Sequence, residues 1–408
     1  MGALDSRAAE LSSGERGLRV AFRTLGCRLN QYETEALASE FGAAGYRIVP
    51  FGEPADIQVI NTCTITNQAD RKSRNLIYRA LRAAGNGARG NPEPNGDGAD
   101  PTVVVTGCFA ERRWADFSDD DRVVLVDNDS KSDILSVVEA LLRGEVAPPR
   151  ANRFGFRPSQ SVYHTRASVK IQDGCDRHCT YCIVPRVRGS AVSRPEADVR
   201  NEIRSHFLSG YREIVLTGVN LGHYRSAGVD FPGLISRILD EIPGVYGSGA
   251  GTSGRRAEGS TDRGAGQGAD RSTDQGASLR LRISSLEPDG LDARFASLFG
   301  DERLLPHVHL CLQSGSDRTL RRMGRRYRVN DFRALVAQLR EVAPRINITT
   351  DIIAGFPGES DEDFAASIDL AREIGFSHIH AFTFSPREET PAARMEDRVD
   401  GRVAAERS

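Results

Sequence analysis

Cys175, Cys179 and Cys182 lie close together in IQDGCDRHCTYCIVPRVRG. A C-x3-C-x2-C run puts three thiolates on one short loop, enough to hold three irons of a cubane and leave the fourth iron open to a substrate or cofactor. Two other chemistries compete. A structural zinc site takes four ligands, usually with paired spacings. Here only His178 is at hand as a fourth ligand; it directly precedes Cys179, and no second cysteine pair follows nearby. A redox pair of Cys179 and Cys182 leaves Cys175 unexplained.

Three further cysteines are dispersed, and each falls at the C-terminal end of a predicted strand. Arg19–Cys27, Ile57–Cys63 and Thr102–Cys108 read as strands, with a fourth at Arg122–Asp127. Helical patterns over Asn30–Ala44, Asn67–Ala83 and Lys131–Arg143 separate or follow them. Short apolar runs alternating with amphipathic stretches indicate a parallel α/β unit, and in an open parallel sheet the C-terminal edge is where ligands bind. Cys27, Cys63 and Cys108 therefore converge on one rim. Any one of them taken alone is equally well a small buried residue.

From 162 to 400 the pattern repeats strand then helix six times. The strands fall at Val169–Gln172, Glu213–Gly218, Leu279–Ser284, His307–Leu312, Asn347–Ile353 and Phe376–Phe384. The helices fall at Glu196–Ser209, Phe231–Glu241, Ala293–Leu298, Asp331–Val342 and Asp361–Ile374. The fold class is α/β, an N-terminal open parallel domain (18–145) followed by a partial six-unit barrel with its functional groups at the C-terminal rim. Residues 1–17 read as a frayed N-terminus, 85–100 as a mobile insert, 146–161 as a linker, 247–277 as a disordered loop without apolar periodicity, and 401–408 as a tail. Cys311 sits within a strand and reads as core. Asp351 interrupts an apolar strand, where an unpaired carboxylate is costly; a polar barrel interior and a salt bridge to an arginine both account for it. Arg321, Arg322, Arg325, Arg326 and Arg328 form the densest basic cluster, a grip for phosphates or simply a solvated helical face.

The 408 residues carry a net charge of −2, so no global field favours a polyanion. The 54 basic residues are arginine except for Lys72, Lys131 and Lys170, a composition bias. No apolar stretch approaches the roughly 20 residues of a membrane span, and the first residues lack a secretory apolar block. Seven unevenly spaced cysteines favour a reducing compartment over a disulfide framework. The expectation is a cytoplasmic protein.

The cysteine run, with Tyr181 before its third cysteine, resembles the radical S-adenosylmethionine superfamily. With the dispersed trio in front of the barrel, the layout resembles the methylthiotransferases. TLGCRLNQYETE (Thr24–Glu35), NTCTITNQADRKSR (Asn61–Arg74), HLCLQSGSDRTLRRMGRRY (His309–Tyr327) and TDIIAGFPGESDEDF (Thr350–Phe364) are similar to the bacterial branch acting on N6-threonylcarbamoyladenosine 37 of tRNA. The resemblance implies two [4Fe-4S] clusters, one on Cys175, Cys179 and Cys182 and an auxiliary one on Cys27, Cys63 and Cys108. It also implies S-adenosylmethionine as methyl donor and radical source, and 2-methylthio insertion on adenine. Tyr181, Gly218, Asn220, Gln313, Ser314 and Asp351 are the implied cofactor contacts. Arg321, Arg322, Arg325 and Arg326 face the anticodon stem-loop, and a flavodoxin or ferredoxin supplies electrons. Relatives end in a small RNA-binding β-barrel, which has no counterpart after GRVAAERS. Methylthiolation of a ribosomal-protein aspartate, which uses the same clusters, and a non-enzymatic iron-sulfur carrier are the alternatives.

Overall fold

The computed structural model describes residues 17–85, 101–146, 152–157, 165–241 and 279–408. The N-terminal residues 1–16, the insert from 86, most of the linker and the 247–277 tract lie outside the described residues.

Five strands, β1 (Arg19–Thr24), β2 (Arg47–Val49), β3 (Ile57–Thr62), β4 (Thr102–Gly107) and β5 (Val123–Val126), form one parallel sheet in the order β2-β1-β3-β4-β5. Val59, Ile60, Val103, Val104 and Val105 are wholly buried, because helices cover both faces and central parallel strands read as continuous apolar runs. Helix α1 (Arg28–Ala43) packs Tyr32, Ala36, Leu37 and Phe41 over Val59 and Val104. Helix α2 (Asn67–Gly85) packs Ile77, Ala80 and Leu81 over Ile60, Val103 and Val105 on the other face. Short helices α3 (Cys108–Arg112) and α4 (Ile134–Leu142) complete the domain. Thr24 is level with Asn61, and Thr62 with Gly107, so β1, β3 and β4 end together at one rim. The strand β2 was not expected; three residues after a glycine-led turn carry no readable period.

The second half contains, in chain order, β6 (Ala167–Lys170), β7 (Gln172–Asp173), β8 (Val192–Ser193), β9 (Glu213–Thr217), β10 (Arg225–Ser226), β11 (Val229–Asp230), β12 (Arg280–Ile283), β13 (Ser285–Leu286), β14 (His307–Leu310), β15 (Asn347–Ala354) and β16 (His378–Thr383). The β7–β8 and β10–β11 pairs are small antiparallel ribbons. The others are parallel, in the orders β12-β9-β6 and β13-β14-β15-β16. One expected strand, Leu279–Ser284, is thus a run broken at Ser284 whose halves pair with β9 and with β14. The Ser284 N–H still donates to the Leu216 carbonyl at 3.1 Å, so six units curve into an open barrel. Val308, Leu310 and Ile348 face outward into a core with Phe332, Leu335 and Leu339. By alternation His309 and Asp351 face inward.

Two expectations are corrected. Residues 152–157 are not a free linker: Phe156 is buried in the N-terminal core, edge-on to Tyr32 at 5.8 Å, and the Arg157 N–H donates to Glu40 at 2.9 Å. The terminal segment is not a loose tail but a docked helix, Gly401–Arg407. Its Ala404 is buried against Gly355, where an added Cβ would stand 2.4 Å from the Ala404 Cβ, and Arg407 pairs with buried Glu359 at 2.8 Å. Among the described residues no helix is long and apolar enough to cross a membrane.

Candidate active site: two cysteine trios and the charged seam between them

The loop carrying Cys175, Cys179 and Cys182 leaves the first barrel strand and is held from every side. Gly174 has φ +68°, and an added Cβ would stand 2.0 Å from the Ser190 carbonyl oxygen, so only glycine lets the loop lie on its return strand. The Cys175 N–H donates to Gly189 at 3.0 Å and the Thr180 N–H to Met323 at 2.9 Å. The Thr180 carbonyl accepts from the Ala392 N–H at 2.8 Å. Gln172 joins this loop to the next one: its Nε2 donates to the Asp173 and Gly174 carbonyls, both at 2.8 Å, and its Oε1 accepts from Val219 and Asn220 at 3.0 and 2.7 Å. Burial pushes the Cys182 thiol up to about 12, with Cys179 and Cys175 adding to it. Asn220 lies against Cys175, yet neither of its buried amide atoms has a full hydrogen bond.

The second trio lies on the rim of the N-terminal sheet. Cys27 caps α1, Cys63 follows β3 and Cys108 opens α3. At Gly26 (φ +106°) an added Cβ would be 2.8 Å from the Cys63 Cβ; glycine brings the Cys27 loop onto Cys63. Asn30 clamps the same loops, donating to the Leu25 and Thr62 carbonyls at 2.8 and 2.9 Å. The Ser73 hydroxyl donates to the Cys63 carbonyl at 2.9 Å. Cys27 is exposed whereas Cys63 and Cys108 are buried. Burial pushes the Cys63 thiol up to about 12, and Cys108 and Cys27 contribute to the rise, which marks the three as neighbours. Among the described residues neither trio draws its three sulfurs within 4.8 Å of one another, the spacing one ion requires; a cubane's ligands stand farther apart. The donor sets, all cysteine with three per site, fit iron-sulfur clusters rather than a lone zinc.

Sequence reasoning missed the seam between the domains. Glu33, wholly buried on α1, accepts from Lys131 at 2.6 Å, Lys170 at 2.9 Å and Arg188 at 3.2 Å. Lys170 and Arg188 also pair with buried Asp173 at 2.6 and 3.0 Å. Arg188 Nη2 donates to Asn30 at 2.5 Å. Burial alone would raise Glu33, but Arg188, Lys131 and Lys170 outweigh it and hold the carboxyl well below its usual range. Three cations share two carboxylates, so one positive charge is left over. Consistently, burial draws the Lys131 ammonium below its usual range despite Glu33. A signal existed: two of the chain's only three lysines meet here. A second knot lies beside Cys63, where Asp70 accepts from Arg112 at 2.6 Å, from the wholly buried Arg387 at 2.5 Å, and from Thr64.

The remaining nominated residues divide. Tyr181 receives a hydrogen bond from Arg325 and meets Phe356 edge-on at 6.3 Å. At Gly218 an added Cβ would be 2.9 Å from the Gln172 carbonyl oxygen, so strand packing alone explains the glycine. Gln313 holds φ +66°, a strained value for a side-chain-bearing residue, fixed by its N–H on Asp351 at 2.8 Å and its carbonyl on Ile353 at 2.9 Å. Ser314 is turned away from the barrel interior, with its hydroxyl 3.4 Å from Ser367 and accepting from Ser316. Among the described residues Asp351 has no arginine partner; it lies 3.3 Å from His309 Nε2 and 4.0 Å from the Cys311 thiol. Thr349 fixes the other histidine nitrogen at 2.9 Å. Asp351 thus faces a histidine rather than an arginine, and Cys311 is buried but faces a carboxylate. The arginine cluster is corrected: Arg325 points inward to Glu287, Tyr181 and Tyr327, because a half-buried carboxylate and two ring faces hold it better than water does. Arg322 is tied to Asp397 at 2.7 Å. Arg321, Arg326 and Arg328 are exposed.

The radical SAM superfamily model matches residues 169–371, and an uncharacterized protein family, UPF0004, matches 19–126. The fold and the cysteine loop define a radical S-adenosylmethionine enzyme, which binds a [4Fe-4S] cluster and S-adenosylmethionine. Threonylcarbamoyladenosine tRNA methylthiotransferase MtaB of Bacillus subtilis is 35% identical over 95% of this chain and 78% of its own length. The Thermotoga maritima protein of the same name is 32% identical over 93% and 78%. The tRNA-2-methylthio-N(6)-dimethylallyladenosine synthase of Sphingopyxis alaskensis is 32% identical over 94% and 79%. The chain belongs to the methylthiotransferase family of radical S-adenosylmethionine enzymes. Among solved structures, the radical S-adenosylmethionine methyltransferase TsrM of Kitasatospora setae superposes with a TM-score of 0.61 at 15% identity, covering 93% of this chain and 77% of that one, a likeness of fold alone.

Proposed function

We propose that this enzyme inserts a methylthio group at C2 of N6-threonylcarbamoyladenosine 37 in tRNA. Cys175, Cys179 and Cys182 would hold the radical-generating cluster, and Cys27, Cys63 and Cys108 an auxiliary one. The observation that carries the reading is the second trio: three cysteines from three adjacent strands meet at one rim, joined through Arg188 to the loop of the first trio. When bound, the clusters and S-adenosylmethionine supply the sulfur, the methyl group and the one-electron chemistry.

The protein's own residues orient and discriminate. Asn220, with both amide atoms unpartnered, is the group to take the cofactor's amino acid end. His309, Asp351 and His380 keep the barrel interior polar; the two imidazole rings are 5.7 Å apart. The relatives' names offer two adenosine substituents, a threonylcarbamoyl group, which ends in a carboxylate, and an apolar dimethylallyl group. Arg28, next to Cys27, has no ion pair among the described residues. Partial burial and the neighbouring Arg166 and Arg282 draw its guanidinium below the usual range. Among the described residues Glu213 alone answers Arg282 at 2.8 Å and Arg166 at 3.5 Å, and it also pairs with Arg280 at 3.9 Å. Surplus positive charge beside Cys27 favours the carboxylate-bearing substrate. Thiolate ligands need a reducing compartment, so the reading is of a cytoplasmic enzyme reduced by a flavodoxin or ferredoxin. The exposed Arg321, Arg326 and Arg328 remain available for the anticodon stem-loop.

Anaerobic reconstitution tests the reading. About eight irons per chain are expected, and reaction with reductant, S-adenosylmethionine and tRNA should modify the threonylcarbamoyl but not the dimethylallyl substrate. Cys179→Ala should abolish cofactor cleavage, whereas Cys63→Ala should keep cleavage and lose sulfur insertion. Cofactor cleavage without product on the threonylcarbamoyl tRNA, with eight irons bound, would reject the substrate assignment. Eight irons and no cleavage would indicate a carrier.

A further inference from the structure

The helix α5 (Val184–Arg188) begins two residues after Cys182 and packs directly on the other trio: Ile183 and Val187 form a closed apolar contact with Cys108. The Val187 carbonyl accepts from Asn128 at 2.6 Å, which fixes the end of the helix against the N-terminal sheet. Arg188, the next residue, is 4% exposed. Its guanidinium reaches Asn30, Glu33 and Asp173, that is, the residue three after Cys27 and the residue two before Cys175. The seam behind it carries one cation more than its carboxylates neutralise, and Arg188 meets the Cys27 loop through Asn30, whose Oδ1 lies 4.0 Å from the Cys27 sulfur.

We propose that Arg188 is the positioning residue of the auxiliary cluster, holding its cysteines at a fixed place relative to the radical loop and raising the cluster's reduction potential through its charge and its N–H donors. The proposal rests on the reading that Cys27, Cys63 and Cys108 hold a cluster. Hydrogen bonds and positive charge near cluster sulfurs stabilise the reduced state, which carries one more electron. A buried fork braced by two carboxylates and an amide cannot swing away, so its effect is built in rather than adaptive.

The test uses the full-length chain with Cys175→Ala, Cys179→Ala and Cys182→Ala, in which only the auxiliary site can load. Iron content and an EPR-monitored redox titration are read with Arg188, with Arg188→Met and with Arg188→Lys. With Arg188 present, about four irons per chain are expected. Arg188→Met should lower the reduced-to-oxidised ratio at a fixed potential by at least tenfold, about 59 mV for a one-electron couple. Arg188→Lys, which keeps the charge and loses the fork, should fall between. If Arg188→Met loads no iron, the lysine variant decides: a lowered ratio supports the proposal and an unchanged one overturns it. A loaded Arg188→Met variant with an unchanged potential overturns it as well. No iron in the parent with Arg188 intact would instead defeat the two-cluster reading on which the proposal stands.

Discussion

Removing the charge of Glu33 should destabilise the cluster-free protein far more than removing the charge of Lys131, although the two are partners at 2.6 Å. The reason is the balance of the seam. Lys131, Lys170 and Arg188 face Glu33 and Asp173. Glu33→Gln leaves three buried cations with one carboxylate; Lys131→Met leaves two with two. Breaking a buried pair so that charge is left uncompensated costs about 3–5 kcal/mol. For domains of this size that is a fall in midpoint of roughly 6–20 °C. Lys131→Met removes the surplus charge and the desolvation it carries, while Glu33 keeps Lys170 and Arg188, so less than half that loss is expected. The assay is thermal unfolding of the iron-free protein under reducing conditions at neutral pH, followed by circular dichroism. A Lys131→Met loss equal to or larger than that of Glu33→Gln would refute the charge count, and with it the idea that the seam presents net positive charge to the cysteines.

Acid stability should depend on His307, which burial, with Arg282, His309 and Arg28, pulls down from 6.5 to about 4. The folded protein keeps this imidazole neutral while the unfolded chain protonates it, so the stabilisation is whole above about pH 6.5 and drains away as the pH falls toward 4. His307→Gln should flatten that part of a urea-midpoint profile; parallel profiles for the two proteins would count against the assignment. Gly107→Ala should strike Cys108 without touching a sulfur. At φ +94° the added Cβ would lie 2.4 Å from the Thr62 carbonyl oxygen; backbone strain of about 1–3 kcal/mol and overpacking of a similar size combine there. Reconstituted iron should drop toward one cluster's worth, and a full complement in this variant would show that the rim tolerates movement.

Much of the fold was legible because it is locally periodic. The β3 and β4 runs, the helix Phe231–Glu241 and the helix Asp361–Ile374 were placed within a residue or so, since burial on a strand or helix face repeats along the chain. The dispersed cysteines could be placed for the same reason, each standing where an apolar strand run ends, whereas Cys175, Cys179 and Cys182 stand out by their spacing alone. Illegible were the features made between distant segments. Glu33 meets partners 98, 137 and 155 residues away; in sequence each is an ordinary surface charge on an amphipathic element. Arg325 looked like one of five solvated arginines because nothing local says that Glu287 and two tyrosines wait on the inner side. Phe156 was lost among prolines, its burial decided by Tyr32 and not by its neighbours.

The segment from Ser385 to Ala392 has a consequence for how the enzyme is made. Its Arg387 completes the knot around Asp70 beside Cys63, and its Ala392 holds the Thr180 carbonyl between Cys179 and Cys182. A ribosome releases the N-terminal sheet first, with three cysteines already at its rim, but their surroundings stay unfinished until residues more than 300 positions later have emerged. Both cysteine trios therefore acquire their full surroundings only once residues 385–392 have emerged, long after the N-terminal sheet has left the ribosome. A nascent polypeptide in which this segment has not yet emerged would offer loose thiols to oxidants rather than two braced sets of cysteines.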